Sequence, residues 1–197
     1  AVVEESALPG LEEVAPRATA LAARAAEATQ VVAKADRAED LQSQVETLAA
    51  ELAVLEERIT GWDQVSDWQL SRLLGARSSY LQLQRRQKAL QAILSEPLKS
   101  LENLRQEWTQ EQEFWVDWQS SLKETRRLAE RAAQLKTPKE AFARSFATIQ
   151  GVIAEATEVA NRLLGIQQEF SVQQERVASR LGALGAAMAT WCEQTLR

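Results

Sequence analysis

The apolar residues Phe142, Ile149, Ala156, Leu163, Phe170, Val177, Leu184 and Trp191 recur every seven positions without a break. An α-helix makes a turn every 3.6 residues. A strict sevenfold stripe therefore stays against a partner only if the helices supercoil left-handedly. A companion series, Phe146, Ile153, Ala160, Gln167, Gln174, Leu181 and Met188, follows four residues behind. A helix with this pattern needs other helices of matching length to cover its apolar stripe.

The rest of the chain supplies them. Leu21, Ala25, Ala28 and Val32 begin a first helical stripe, and its register shifts in the Ala-rich stretch near Ala35 to Ala38. The stripe then becomes regular through Leu41, Val45, Leu48, Leu52, Leu55, Ile59 and Trp62, alternating steps of four and three. Gly61 ends this helix, and Ser66-Asp67-Trp68-Gln69 reads as a capping box with Val65 and Leu70 as its hydrophobic staple. A long central seam follows from Leu73 through Tyr80, Leu83, Gln87, Leu90, Leu94, Pro97, Leu101, Trp108, Glu111, Trp115 and Trp118 to Leu122. The seam keeps its register across Pro97, which predicts a local kink and not a reversal. Thr137-Pro138-Lys139-Glu140 marks a third start, with proline at the first helical position.

The expected fold is thus all-α: an antiparallel three-helix coiled-coil rod with one long central helix. Residues 1–15, with Pro9 and Gly10, form a flexible arm. Residues 16–197 form an elongated domain with helices near 16–60, 67–135 and 138–196. The central helix is roughly 100 Å long if only gently kinked. Short connections make neighbouring helices antiparallel.

Charge helps to set the first hairpin. Residues 39–57 carry Glu39, Asp40, Glu46, Glu51, Glu56 and Glu57, whereas Arg72, Arg77, Arg85, Arg86 and Lys88 lie in a stretch with no acid. The expected register faces Leu48 with Tyr80, places Glu51 beside Arg77 and sets Asp40 beside Lys88. For the second hairpin, the expected register sets Trp118 against Ile153 and Trp115 against Ala156, the latter large against small. A slip by whole heptads would preserve the seam equally well. This second register carries Trp191 to Tyr80 and the C-terminus to the first hairpin tip.

Several function classes lack their residues. The chain has no histidine and one cysteine, Cys192, expected as a half-buried thiol, so a Cys/His zinc site and an internal disulfide are both out of reach. A Glu-x-x-His di-metal bundle fails for the same reason. No Gly-rich phosphate loop and no nucleophile with a base are present, which indicates no enzyme, no cofactor and no small-molecule substrate. The net charge of −5 argues against nucleic acid as a partner. Arg85-Arg86-Gln87-Lys88 and Arg126-Arg127 read as partners of acidic neighbours. Glu111 reads as a side chain snorkelling out of the seam, and Gln87, Gln167 and Gln174 as residues that set register. Ala-Val-Val-Glu-Glu-Ser at the start suits either a mature N-terminus after signal-peptide removal or a trimmed boundary.

Two aromatic groups are candidate sites. Trp108, Phe114, Trp115 and Trp118 read first as core and second as an interaction surface. Val2, Val3, Leu8, Leu11 and Val14 of the arm are available to cover them. Left uncovered, the seam from Trp108 to Leu122 would drive self-association. Trp62, Trp68 and Trp191 are a candidate membrane-proximal tip, because tryptophan favours the bilayer interface, with plugging of a bundle end as the plainer reading.

Three stretches, DWQLSRLLGARSSYLQLQRRQKALQAIL, LENLRQEWTQEQEFWVDWQSSL and AFARSFATIQGVIAEA, resemble the N-terminal extramembrane region of large bacterial mechanosensitive channels of the small-conductance (MscS-like) family. The resemblance covers roughly residues 40–190. Its most distinctive part is Trp108-x5-Phe114-Trp115-x2-Trp118. It implies a non-catalytic domain on the periplasmic side of the bacterial inner membrane, structural or modulatory in channel assembly or sensing. Its partners would be its own channel subunits or a homo-oligomer, and its link to the membrane would run through segments outside residues 1–197. On that basis the tip at residues 61–67 faces the bilayer and the Lys136 to Lys139 end projects away. A spectrin-like or adaptor coiled-coil scaffold that binds partner proteins is the alternative, since such repeats also use three helices with buried tryptophans.

Overall fold

A computed structural model describes the backbone of residues 8–59, 61–129 and 136–195, and their side chains except at 123–129 and 136–137. The described residues are all-helical, with no strands. They form four α-helices, α1 (Val14–Ala35), α2 (Ala38–Arg58), α3 (Leu70–Ala129) and α4 (Lys136–Thr195), with short 3-10 turns at Leu11–Glu13 and Trp62–Asp67. Two compact units divide them. Unit 1 comprises residues 1–36 and 99–160, and unit 2 comprises residues 37–98 and 161–197.

The single first helix expected at 16–60 is instead two, separated at Asp36 and Arg37. The spacing of the buried residues gives the reason. Val32, Ala35, Ala38 and Leu41 are all buried and successive members are three residues apart. At about 100° per residue, nine residues of unbroken helix would turn Leu41 about 180° away from Val32. The break lets each helix set the phase of its buried stripe within its own unit. The Asp36 N–H still closes α1 on the Val32 carbonyl, and the Arg37 carbonyl accepts the Leu41 N–H to open α2.

The Ser66 capping box does not form. Ser66 lies within the 3-10 turn, and α3 starts at Leu70, where the Gln69 carbonyl accepts the Arg72 and Leu73 N–H groups. Gly61 takes the left-handed conformation (φ 77°) that glycine adopts without strain after a helix end. What the turn gains is aromatic burial. The Trp62 ring lies 5.5 Å from that of Trp68 and edge-on to that of Tyr80 at 5.7 Å. Burying such rings outweighs a cap of about 1 kcal/mol.

In unit 2, α2 runs antiparallel to the first part of α3. Glu51 pairs with Arg86, nine residues beyond the expected Arg77, while Asp40 pairs with Arg37 just before its own helix and not with Lys88. Leu48 lines a shallow groove with Ala89 and Leu90, so the facing of Leu48 with Tyr80 is also corrected. The cause is the connection, in which residue 59 and residues 61–69 are outside the α-helices, so that α2 ends at Arg58 and α3 begins only at Leu70. Along the second part of α4, contacts with α2 run parallel: Gln42 with Glu169, the Val45 carbonyl with Gln173, and Glu56 with Arg176 and Arg180.

In unit 1, α1 runs antiparallel to the later part of α3, with Arg24 on Glu107 and Glu111 and Arg17 over Phe114 and Trp118. α3 meets the start of α4 where the rings of Trp115 and Trp118 lie 5.5 Å and 5.4 Å from that of Phe142. Phe142, not Ala156, is therefore the residue against Trp115. The difference is fourteen residues, two whole heptads, the slip that leaves the seam intact. Packing the Trp115 and Trp118 rings edge-on to Phe142 selects this register over large-on-small packing.

The seam itself is buried as its period predicts. Phe142, Ile149, Ala156, Leu163, Phe170, Val177 and Leu184 are all core residues, as are Leu48, Leu52, Tyr80 and Leu83. The companion series at Phe146 and Ile153 is only half-buried, and the deeper second row is Ser145, Val152, Val159 and Ile166. α3 continues through Pro97 without interruption.

Candidate interaction surfaces

The aromatic group of unit 1 is core and not surface. Trp118 is 0% exposed and Trp108 and Trp115 are each 1% exposed, in one cluster with Val14, Leu21, Phe142 and Ile149. Phe114 is half-buried beneath the Arg17 guanidinium. Part of the cover comes from the segment expected as an arm: Leu11 packs on the cluster, Val14 is buried within it, and the Pro9 carbonyl accepts the Trp118 indole N–H at 2.6 Å. Val2 and Val3 lie outside the described residues.

A polar network ties this core to α1. The Trp115 indole donates to Glu111 at 2.8 Å, and Glu111 and Glu107 both accept from Arg24, at 2.6 Å and 2.9 Å. Hydrogen bonding to Glu111, reinforced by Glu107, holds the Arg24 pKa above its ordinary value against the opposing cost of desolvation. The same guanidinium lies over the Trp108 ring. Glu111 thus satisfies a buried indole. The sequence marked it only as an odd charge on the seam, and Arg24 carried no signal of its own.

In unit 2 the tip residues come together only in part. Trp68 is buried with Arg72 stacked on it at 3.8 Å, and Trp62 is half-buried beneath Arg180 at 4.5 Å. Tyr80 sits under Trp62 and close to Glu56, Arg176 and Arg180. Burial, with the Glu56 charge, pushes its phenol up to about 12, so it stays protonated at neutral pH. Trp191 does not lie beside Tyr80. It is eleven residues, about 16 Å of helix rise, beyond Arg180.

The remaining candidates fall as follows. Gln87 is buried with its side-chain amide nitrogen unpaired, and Gln167 and Gln174 are half-buried. Cys192 is exposed, not half-buried, because the stripe at the end of α4 no longer covers that face. Arg85 and Lys88 are exposed, and the side chains of Arg126, Arg127, Lys136 and Thr137 lie outside the described ones.

Among the described residues, no cluster of three or more His, Cys, Asp or Glu side chains gathers to hold a metal, and no helix is long and apolar enough to cross a membrane. An open groove of about 490 Å³ lies in unit 1 between α1 and α4, lined by Ala18, Ala22, Ala141 and Ser145. The large exposed apolar residues, such as Leu74, Val116 and Val172, are scattered singly. No family model, no curated protein and no solved structure matches the chain.

Proposed function

We propose that this chain is a non-catalytic, antiparallel three-helix coiled coil serving as the extramembrane domain of a mechanosensitive ion channel, structural or modulatory in channel assembly or sensing. The observation that carries the reading is the use made of Trp108-x5-Phe114-Trp115-x2-Trp118. The most distinctive motif of the resemblance is the centre of the unit 1 core, held by a dedicated hydrogen-bond network. In each unit three helical segments pack around seam positions, and the tightest polar groups are spent on internal bonds. Such a body serves packing, spacing and assembly with copies of its own subunit.

On this proposal the domain stands on the periplasmic side of the bacterial inner membrane, attached through segments outside residues 1–197, with the Trp62–Trp68 turn towards the bilayer. The test is patch-clamp recording on membranes that contain the whole encoded polypeptide. The expected result is a conductance opened by membrane tension, with a threshold that moves when residues 14–195 are deleted. A polypeptide with no tension-activated conductance overturns the proposal.

A further inference from the structure

Folding of unit 2 leaves part of the charge on α2 and on the first part of α3 outside its internal ion pairs. Of six α2 carboxylates, Glu51 pairs with Arg86, Glu56 with Arg176 and Arg180, and Asp40 with Arg37. Glu39, Glu46 and Glu57 stay exposed and make no ion pair in the structure; Glu46 accepts only the Gln42 amide, at 2.9 Å. On α3, Arg86 is spent on Glu51 and Arg72 is stacked on Trp68, while Arg77, Arg85 and Lys88 are exposed and make no ion pair.

The two unspent sets have matching geometry. Glu39, Glu46 and Glu57 are seven and eleven residues apart, which at about 100° per residue places all three within about 20° on one face of α2. Arg77 and Lys88 are also eleven residues apart and share a face of α3 to the same tolerance, with Arg85 beside them. Glu46 to Glu57 and Arg77 to Lys88 therefore both span about 16 Å of helix rise.

We infer that the occupant of each row is a second copy of this chain, whose Arg77 and Lys88 row lies along Glu46 and Glu57 of the first. The inference rests on the reading of the chain as a self-assembling domain and names the surface that assembles. Used head to tail, with the acidic row of one copy on the basic row of the next, the contact is heterologous and extends to a ring or an open series. Exposed pairs are individually weak and are screened by salt, so the association is salt-sensitive and its main product is register.

Sedimentation of the intact 197-residue chain tests it. Association at about 50 mM salt is expected to weaken about tenfold or more at about 500 mM. Glu46→Gln with Glu57→Gln, and separately Arg77→Gln with Lys88→Gln, are each expected to weaken low-salt association about tenfold, as the loss of two exposed pairs predicts. All four positions are exposed, and circular dichroism checks that each variant is folded. Mixing the two variants joins an unaltered acidic row to an unaltered basic row, and is expected to restore wild-type affinity but to stop at the dimer. A chain monomeric at low salt overturns the inference. So does a mixture that fails to recover. Association untouched by either pair of substitutions overturns this surface while leaving self-assembly standing, and the tension-activated conductance is a separate readout.

Discussion

Trp118→Ala is expected to destabilise the protein by about 3–5 kcal/mol, the range for deleting a large buried aromatic side chain. The upper part of that range applies here. The side chain is fully buried, touches the rings of Trp115 and Phe142, and gives its indole N–H to the Pro9 carbonyl. Alanine removes the ring contacts and leaves a cavity. It also takes away the hydrogen bond that holds the chain before α1 onto the core. Equilibrium denaturation by guanidinium chloride checks this. A midpoint unchanged from wild type would place Trp118 outside the core.

The second large effect belongs to unit 2. Phe170→Ala is expected to cost about 3–5 kcal/mol, because Phe170 is fully buried on the sevenfold stripe of α4 between Leu163 and Val177, which are also fully buried. A control at Val172, the apolar side chain 59% exposed two residues away, should move the same denaturation midpoint by no more than about 0.5 kcal/mol. Equal effects at the two positions would mean that the sevenfold stripe does not choose the buried face of α4.

The stripe was the most legible part of this protein. Period alone put Ile149, Leu163, Phe170, Val177 and Leu184 inside, and they are inside. The second buried row, Val152, Val159 and Ile166, repeats every seven residues as well and lies deeper than the row of Phe146 and Ile153. A helix covered on two sides buries positions on both flanks of its central stripe. A rule built for one partner ranks those flanks poorly.

Register was harder to read than period, for a physical reason. Sliding α4 along α3 by two heptads exchanges one apolar pair for another, so the seam cannot choose between Ala156 and Phe142 as the residue against Trp115. Side-chain shape chooses, through aromatic contacts that spacing does not encode. The α2–α3 register failed differently. A cap and a staple at Ser66 were legible, but the aromatic packing of Trp62, Trp68 and Tyr80 outweighs them.

For the candidate sites, the sequence identified the right aromatic residues and left open which way they faced. Burial of Trp108, Trp115 and Trp118 depends on α1, Leu11 and Val14, whose weak Ala-rich pattern says little about where they dock. The network through Arg24 was invisible because its partners lie more than eighty residues away in sequence.

The central claim is that the motif tryptophans of α3 pack on the start of α4 to form the core of a helical domain. Nuclear Overhauser contacts from the Trp115 indole in the selectively labelled chain test it most directly. The account predicts contacts to the ring of Phe142, whose centroid lies 5.5 Å away. Contacts to the Ala156 methyl group in place of Phe142 would contradict it, because they would return α4 to the register two heptads away and take apart the aromatic cluster on which the core depends.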